Sequence, residues 1–256
     1  MAEPLVTMIR DLQRRRGRER RGLAIAEGVR LVEEVLAAGL PIRGAAVSPA
    51  LEATSRGQAL KVRLAERGAP LTELTDRDLS ELADTEHPQG VIAVITPPTW
   101  SLEKLDPGSN GVVLVLDGIQ DPGNVGTLIR TAHGLGAAGI IALKGTADVN
   151  NPKVLRGAMG SSFRLPVVAA EDAALEAWLS RHRAALWAAA MDGSPLASWK
   201  PTGAVALAVG NEGAGLRPEL LARAAGRVGI PLRQEAESLN VAVAAGILLF
   251  EVLHGR

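Results

Sequence analysis

The hydrophobic pattern divides the chain into two α/β regions separated by an aperiodic stretch. "AEGVRLVEEVLAAG" sets Val29, Val32, Val35 and Leu36 on one helical face, and Gly39 stops the run. A strand is expected near Ile42–Val47, then a helix over about Ser55–Arg67. Thr75 and Asp78 stand at capping spacing and mark another helix start, and "GVIAVI" (Gly90–Ile95) reads as a strand. Residues 96–111, "TPPTWSLEKLDPGSNG", are rich in Pro and Gly and lack periodicity, as a linker would. The expected division is a domain over 1–96, a linker over 97–110 and a second domain over 111–256.

Beyond the linker, apolar strands and helices alternate. "GVVLVLD", "GIIAL", "FRLPVV", "AALWAAA", "GAVALAVG" and "RVGIPL" are strand-like. Between them fall helices at Asn124–Leu135, "NPKVLRGAMG" and "DAALEAWLSRHR", and a last helix covers Leu239–Leu253. Asn151 caps the second of these, with Pro152 in its first turn. This alternation implies a parallel sheet covered on both faces.

Composition narrows the function classes. Hydrophobic residues make up 47% of the 256, charged residues 22% and aromatics 2%, with no Tyr. That supports packed aliphatic cores and disfavours a binder built on stacked aromatic platforms. The absence of Cys rules out disulfides, thiolate metal sites and a Cys nucleophile. His87, His133, His182 and His254 are scattered, so no metal is expected. No apolar stretch near the N-terminus is long enough for a signal peptide, and Leu239–Leu253 is too short to span a bilayer. A cytoplasmic protein without membrane contact is the expectation. Formal net charge is zero, yet seven arginines face only two acids between Arg10 and Arg21. Read as a phosphate-contacting arm, the cluster offers Arg14, Arg15, Arg16, Arg18, Arg20 and Arg21 to the phosphates of a nucleic acid; a solvated helix face or a frayed terminus is the plainer alternative.

Three loops fall where an open α/β sheet binds ligands, at the carboxyl ends of strands. They are "LDGIQDPGNVGTLIRTA" from Leu116, "VGNEGAGL" from Val209, and "IPLRQEAESLNVAVAAG" from Ile230. None is a dinucleotide fingerprint or a Walker loop. Each combines uncharged amides and backbone-exposing residues with ionisable groups: Arg130, Glu212, and Glu235 or Glu237. Taken singly, the glycines could merely turn the chain, and Asn124 and Ser238 could merely cap helices.

Together these segments, in this order, resemble the three signature motifs of the SpoU/TrmH family within the SPOUT superfamily. "NPKVLRGAMGSSFRLPVV" resembles the stretch between the first two motifs, and "RRGLAIAEGVRLVEEVLAAG" through "HPQGVIAVI" resembles the N-terminal substrate-binding domain of rRNA-modifying members. The resemblance implies an RNA ribose 2′-O-methyltransferase that uses S-adenosyl-L-methionine (AdoMet), acting most naturally on 23S rRNA. It implies an L30e-like α/β/α domain, then a SPOUT domain with a parallel sheet and a deep trefoil knot. It also implies a homodimer in which one subunit's first motif completes its neighbour's site.

By the same resemblance Arg130 is the catalytic residue, with Asn124, Glu212 and Asn240 as polar partners, and Gly210, Ile230, Leu232, Ser238 and Leu239 contact AdoMet. A guanidinium is a poor base because it stays protonated, so Arg130 is read first as a grip on RNA phosphate. Asn124 is expected to help position it. A tRNA 2′-O-methyltransferase, or a catalytically silent RNA-binding or ribosome-assembly protein, are the alternative readings.

Overall fold

The computed structural model describes residues 4–233 and 238–255. In chain order the first elements are α1 (Leu5–Leu12), α2 (Arg15–Arg21), β1 (Ala24–Glu27), α3 (Val29–Ala37), β2 (Ile42–Val47) and α4 (Pro49–Glu52). There follow α5 (Ser55–Glu66), β3 (Leu71–Glu73), α6 (Asp76–Ser80) and β4 (Val91–Ile95). Then come β5 (Val112–Asp117), α7 (Pro122–Leu135), β6 (Gly139–Ala142), α8 (Pro152–Ala158), β7 (Val167–Ala169) and α9 (Asp172–His182). The last are β8 (Ala185–Pro195), β9 (Val205–Gly210), α10 (Pro218–Arg223), β10 (Gly226–Gly229) and α11 (Val241–His254). Among the described residues, no helix is long and apolar enough to cross a membrane.

Two compact units emerge. The first comprises the chain up to Thr99 together with Asp148–Phe163. Its mixed sheet has the order β1-β4-β2-β3, with β4 antiparallel to both neighbours. Side chains alternate across the pleat, so the sheet buries two faces. One face packs Ala24, Ala45, Val47 and Ala93 with Val32, Leu36, Leu60 and Leu64 of α3 and α5. The other packs Ile25, Ala46, Ile92 and Val94 with Ile9 and Leu12 of α1 and Leu79 of α6. This is the expected α/β/α sandwich.

The segment carrying α8 packs with the first unit, although it lies in the stretch of sequence that builds the second. It leaves the second sheet after β6, yet Leu155 and Phe163 belong to the first unit's core. Arg156 bonds Glu27 (3.3 Å) and Asp84 (2.5 Å), and the Glu27 carboxylate also accepts from the amides of Asp84 and Thr85. Glu27 is almost wholly buried, so these partners offset the cost of burying its charge.

The second unit holds a six-stranded sheet of order β10-β8-β9-β5-β6-β7, parallel throughout. Val113, Val115, Ala206 and Ala208 face Leu175 and Trp178 of α9 and Leu220 of α10. Alternation turns Leu114, Leu116, Leu207 and Val209 to the opposite face, where α7 and α11 pack on each other. All three motif loops leave this sheet from its carboxyl edge. Asn151 and Thr75 cap their helices as expected.

Candidate active site

The first motif loop begins where β5 ends at Asp117. Gly118 turns the chain with φ of +70°, a conformation that favours glycine. Asp121, rather than Asn124, caps α7: its side chain accepts from the Asn124 amide at 2.8 Å, and Pro122 fills the first turn. The Asn124 side chain is thereby left for long-range contacts.

The second motif closes on itself. Asn211 and Gly215 exchange backbone hydrogen bonds, each 2.9 Å, with Gly215 at φ +71°. The Asn211 side-chain oxygen accepts from the amides of Gly213 and Ala214, both at 3.0 Å, a local turn typical of Asn. Its amide donates to the Gly118 carbonyl at 2.9 Å, tying the second loop to the first. A Cβ on Gly210 would lie 2.2 Å from the Gly215 carbonyl carbon and the Leu216 nitrogen. Gly210 is therefore required by the folded loop itself.

Glu212 is the hub between these loops. Its carboxylate accepts from the Asn124 side chain at 3.0 Å and from the amides of Gln120 and Asp121, both at 3.3 Å. Desolvation alone would raise its pKa, but the donors outweigh it: Asn124 and the amides of Glu212, Gln120 and Asp121 hold the carboxyl below the ordinary glutamate value. Asn124 in turn accepts from the Asn240 side chain at 3.0 Å. Asn240, rather than Ser238, caps α11, accepting from Ala242 at 2.9 Å and Val243 at 3.3 Å. The chain Glu212–Asn124–Asn240 thus joins all three motifs. Glu235 and Glu237 lie outside the described residues.

Beside this chain opens a cavity of about 670 Å³. Its lining includes Gly210, Ile230, Leu232, Ser238 and Leu239, the five residues expected at the cofactor, together with Glu212 and Asn240. Val228, Ala244 and Leu248 supply apolar wall, and Met191, 77% exposed, stands at its edge. Aliphatic walls with converging backbone groups, at this volume, suit a small organic ligand.

Arg130 is not part of the lining. It is exposed on α7, and among the described residues no hydrogen bond or ion pair engages it. Six residues along a helix place it roughly 120° around the axis from Asn124 and about 9 Å further along. Asn124 and Arg130 thus point to different sides of α7.

The arginine cluster is two short helices. Arg18 is 5% exposed, and its guanidinium reaches Asp148 at 2.6 and 2.7 Å and the carbonyls of Leu12 and Gln13 at 2.8 and 2.9 Å. It holds the first unit together and does not face RNA, which corrects its assignment. Arg20 and Arg21 pair with Asp11 at 2.8 and 2.5 Å; Arg21 foremost holds that carboxyl below its usual range. Arg15 pairs with Glu19 at the surface (2.7 Å), while Arg14 and Arg16 are exposed.

Sequence reasoning missed Asn211, Asp117 and Arg217. The first carries a signal in its Asn-x-Gly turn; the other two meet only through the fold.

Residues 111–250 match the SpoU rRNA Methylase family, and residues 3–93 match the MRM3-like substrate binding domain. The 23S rRNA (guanosine(2553)-2′-O)-methyltransferase RlmP of Bacillus subtilis is 39% identical over 188 residues, covering 73% of this chain and 74% of its own. The AdoMet complex of the SpoU methyltransferase AviRb from Streptomyces viridochromogenes superposes with a TM-score of 0.88 at 28% identity, over 99% of this chain and 98% of that one. An AdoMet-bound rRNA methyltransferase from Sinorhizobium meliloti gives 0.84 at 31% identity, over 98% and 94%. The chain belongs to the SpoU rRNA Methylase family.

Proposed function

We propose that this protein transfers a methyl group from AdoMet to a ribose 2′-hydroxyl of 23S rRNA. One observation carries the reading most: the second and third motif loops form a single cavity, and a polar chain from the first motif adjoins it. The residues fit AdoMet. Ile230, Leu232 and Leu248 offer aliphatic faces for adenine, and the backbone of 210–215 offers polar groups for its edge and for the amino-acid portion. When bound, AdoMet supplies a methyl already activated by its sulfonium charge.

The chain's own residues then position and stabilise. Glu212, kept ionised by its four donors, fixes Asn124 and hence the start of α7. Asn240 fixes the start of α11 by the same chain. Arg130, exposed and unengaged among the described residues, grips the phosphate beside the target ribose. Alignment of the hydroxyl by such a grip contributes through orientation.

The reading includes a homodimer. Val243, Ile247 and Phe250 of α11 are 52%, 37% and 58% exposed and recur at helical spacing, an uncovered apolar stripe. A Cβ on Gly246, amid the stripe, would lie 3.4 Å from Thr131 Cγ2 of α7. Since Thr131 adjoins Arg130 in sequence, a second copy on this face would bring Arg130 near its partner's cavity. The trefoil knot belongs to the reading too, supported by family membership and by the neighbours' folds. RNA specificity falls to the first unit, with Arg14, Arg15 and Arg16 as phosphate contacts. Arg15 is readily released, since an exposed i,i+4 pair is worth only about 0.3–0.5 kcal/mol.

The rRNA preference over tRNA follows the match to the MRM3-like domain and the relatives' substrates. Labelled AdoMet offered with 23S rRNA and with tRNA tests it. Label in 23S rRNA is expected; label in tRNA alone would overturn the choice of substrate.

A further inference from the structure

A second set of contacts links the end of β5 to the residue that follows the second motif loop. Asp117, 1% exposed, accepts from the backbone amide of Arg217 at 2.9 Å and from its Nε at 2.6 Å. The same guanidinium forks onto Asp172 at the start of α9, at 2.8 and 3.0 Å. Asp172 is held below the usual carboxylate range by Arg217 above all, and the arginine's own pKa is raised, foremost by Asp172. Asp117 is also the strand partner of Gly210. The loop 211–216, which lines the cavity, therefore leaves β9 opposite Asp117 and returns to it at Arg217. One end of the loop is thus paired in the sheet beside Asp117, and the other is bonded to the Asp117 carboxylate.

We propose that Arg217 is a positioning residue for methyl transfer, holding the cavity loop 211–216 in register with the turn at 118–121. It acts through the loop and not on the ligand, because Arg217 is absent from the cavity lining while Glu212, Gly213, Ala214 and Gly215 are in it. A fork is needed here: Arg satisfies two carboxylates at once, whereas Lys, a point charge, fits one. This rests on the placement of AdoMet in the cavity proposed above.

The test measures the AdoMet Kd by calorimetry, and KM and kcat, for Asp172→Asn and Arg217→Lys. Asp172 and Arg217 are both 39% exposed in their side chains, so Asp172→Asn should keep Tm within about 2 °C of wild type. It should raise the AdoMet Kd and KM about three- to tenfold while kcat at saturating AdoMet stays within about twofold, below the hundredfold that misplaced reacting groups cost. Arg217→Lys should shift both constants further in the same direction. Unchanged Kd and KM in both variants, whatever happens to Tm, would make the contact purely structural and overturn the proposal. Ile230→Asp, measured alongside, separates the two claims. Affinity unchanged there means AdoMet lies elsewhere, whereas affinity lost there and unchanged in the other two overturns the positioning role alone.

Discussion

The side chains of Asn124 and Glu212, 88 residues apart, meet at 3.0 Å and join the first two motif loops. Asn124 donates its amide to Glu212 and accepts from Asn240 with its oxygen, so its two ends are not interchangeable. Asn124→Asp would set a second carboxylate against Glu212 and leave no donor. We expect methyl transfer to fall at least about a hundredfold, as when a preorganised polar contact is lost. Steady-state kinetics would check this; activity within twofold of wild type would remove Asn124 from the machinery.

The depressed pKa of Glu212 sets a pH dependence. Folded, the carboxyl titrates below the ordinary value of about 4.3 that it has unfolded. Its stabilisation is therefore fully present above that ordinary value and is lost as pH falls through the folded one. The Tm difference between wild type and Glu212→Gln should stay constant from about pH 6 to 8 and shrink below about pH 4.3. Melting curves across that range decide it; a difference that opens between pH 6 and 8 would contradict the assignment.

Arg130→Ala should leave the fold and AdoMet affinity alone, because the side chain is exposed and outside the cavity. Stability should change by no more than about 0.5 kcal/mol. Turnover on RNA should collapse. Calorimetry and a methyl-transfer assay on one preparation would show the split, and undiminished turnover would exclude Arg130 from the reaction.

The arginines of the first unit should separate into two kinds. Arg18→Ala leaves Asp148 without its buried partner and should cost about 3–5 kcal/mol of stability. Arg14→Ser with Arg16→Ser should leave Tm unchanged and reduce the salt slope of RNA binding by about 2, near one unit per lost phosphate contact. Urea titration and filter binding distinguish them, and a salt slope equal to wild type would clear both residues of RNA contact.

Gly210→Asn should weaken AdoMet binding by displacing the loop, since its Cβ would meet backbone at 2.2 Å. Hydrogen exchange of 211–216 should speed up together with the loss of affinity. Lost affinity with unchanged exchange would return Gly210 to a direct ligand role.

Much of this was legible in the sequence, for local reasons. The three loops announce themselves through Asn, Gly and Pro at turn spacing, and Thr75, Asn151 and Pro152 do at helix starts what their chemistry favours. β1, whose four residues are all buried, and β3, of three residues, show no alternation and escaped notice, whereas the equally short β6, β7 and β10 stand out by their place between helices. Arg18 and Arg16 look alike in sequence; only the fold buries one against Asp148. The Asp117–Arg217–Asp172 contact spans separations of 100 and 45 residues, and the docking of α8 with the first unit depends on Arg156 finding Glu27 across 129. No local pattern encodes such pairings.

The central claim is ribose 2′-O-methylation of 23S rRNA. Mapping 2′-O-methyl groups in 23S rRNA from cells carrying the wild-type protein and from cells carrying Arg130→Ala tests it most directly. The expected result is one ribose methyl present in the first and absent in the second, with base methylation unchanged. Identical ribose methylation in both, or a loss confined to a base methyl, would contradict it.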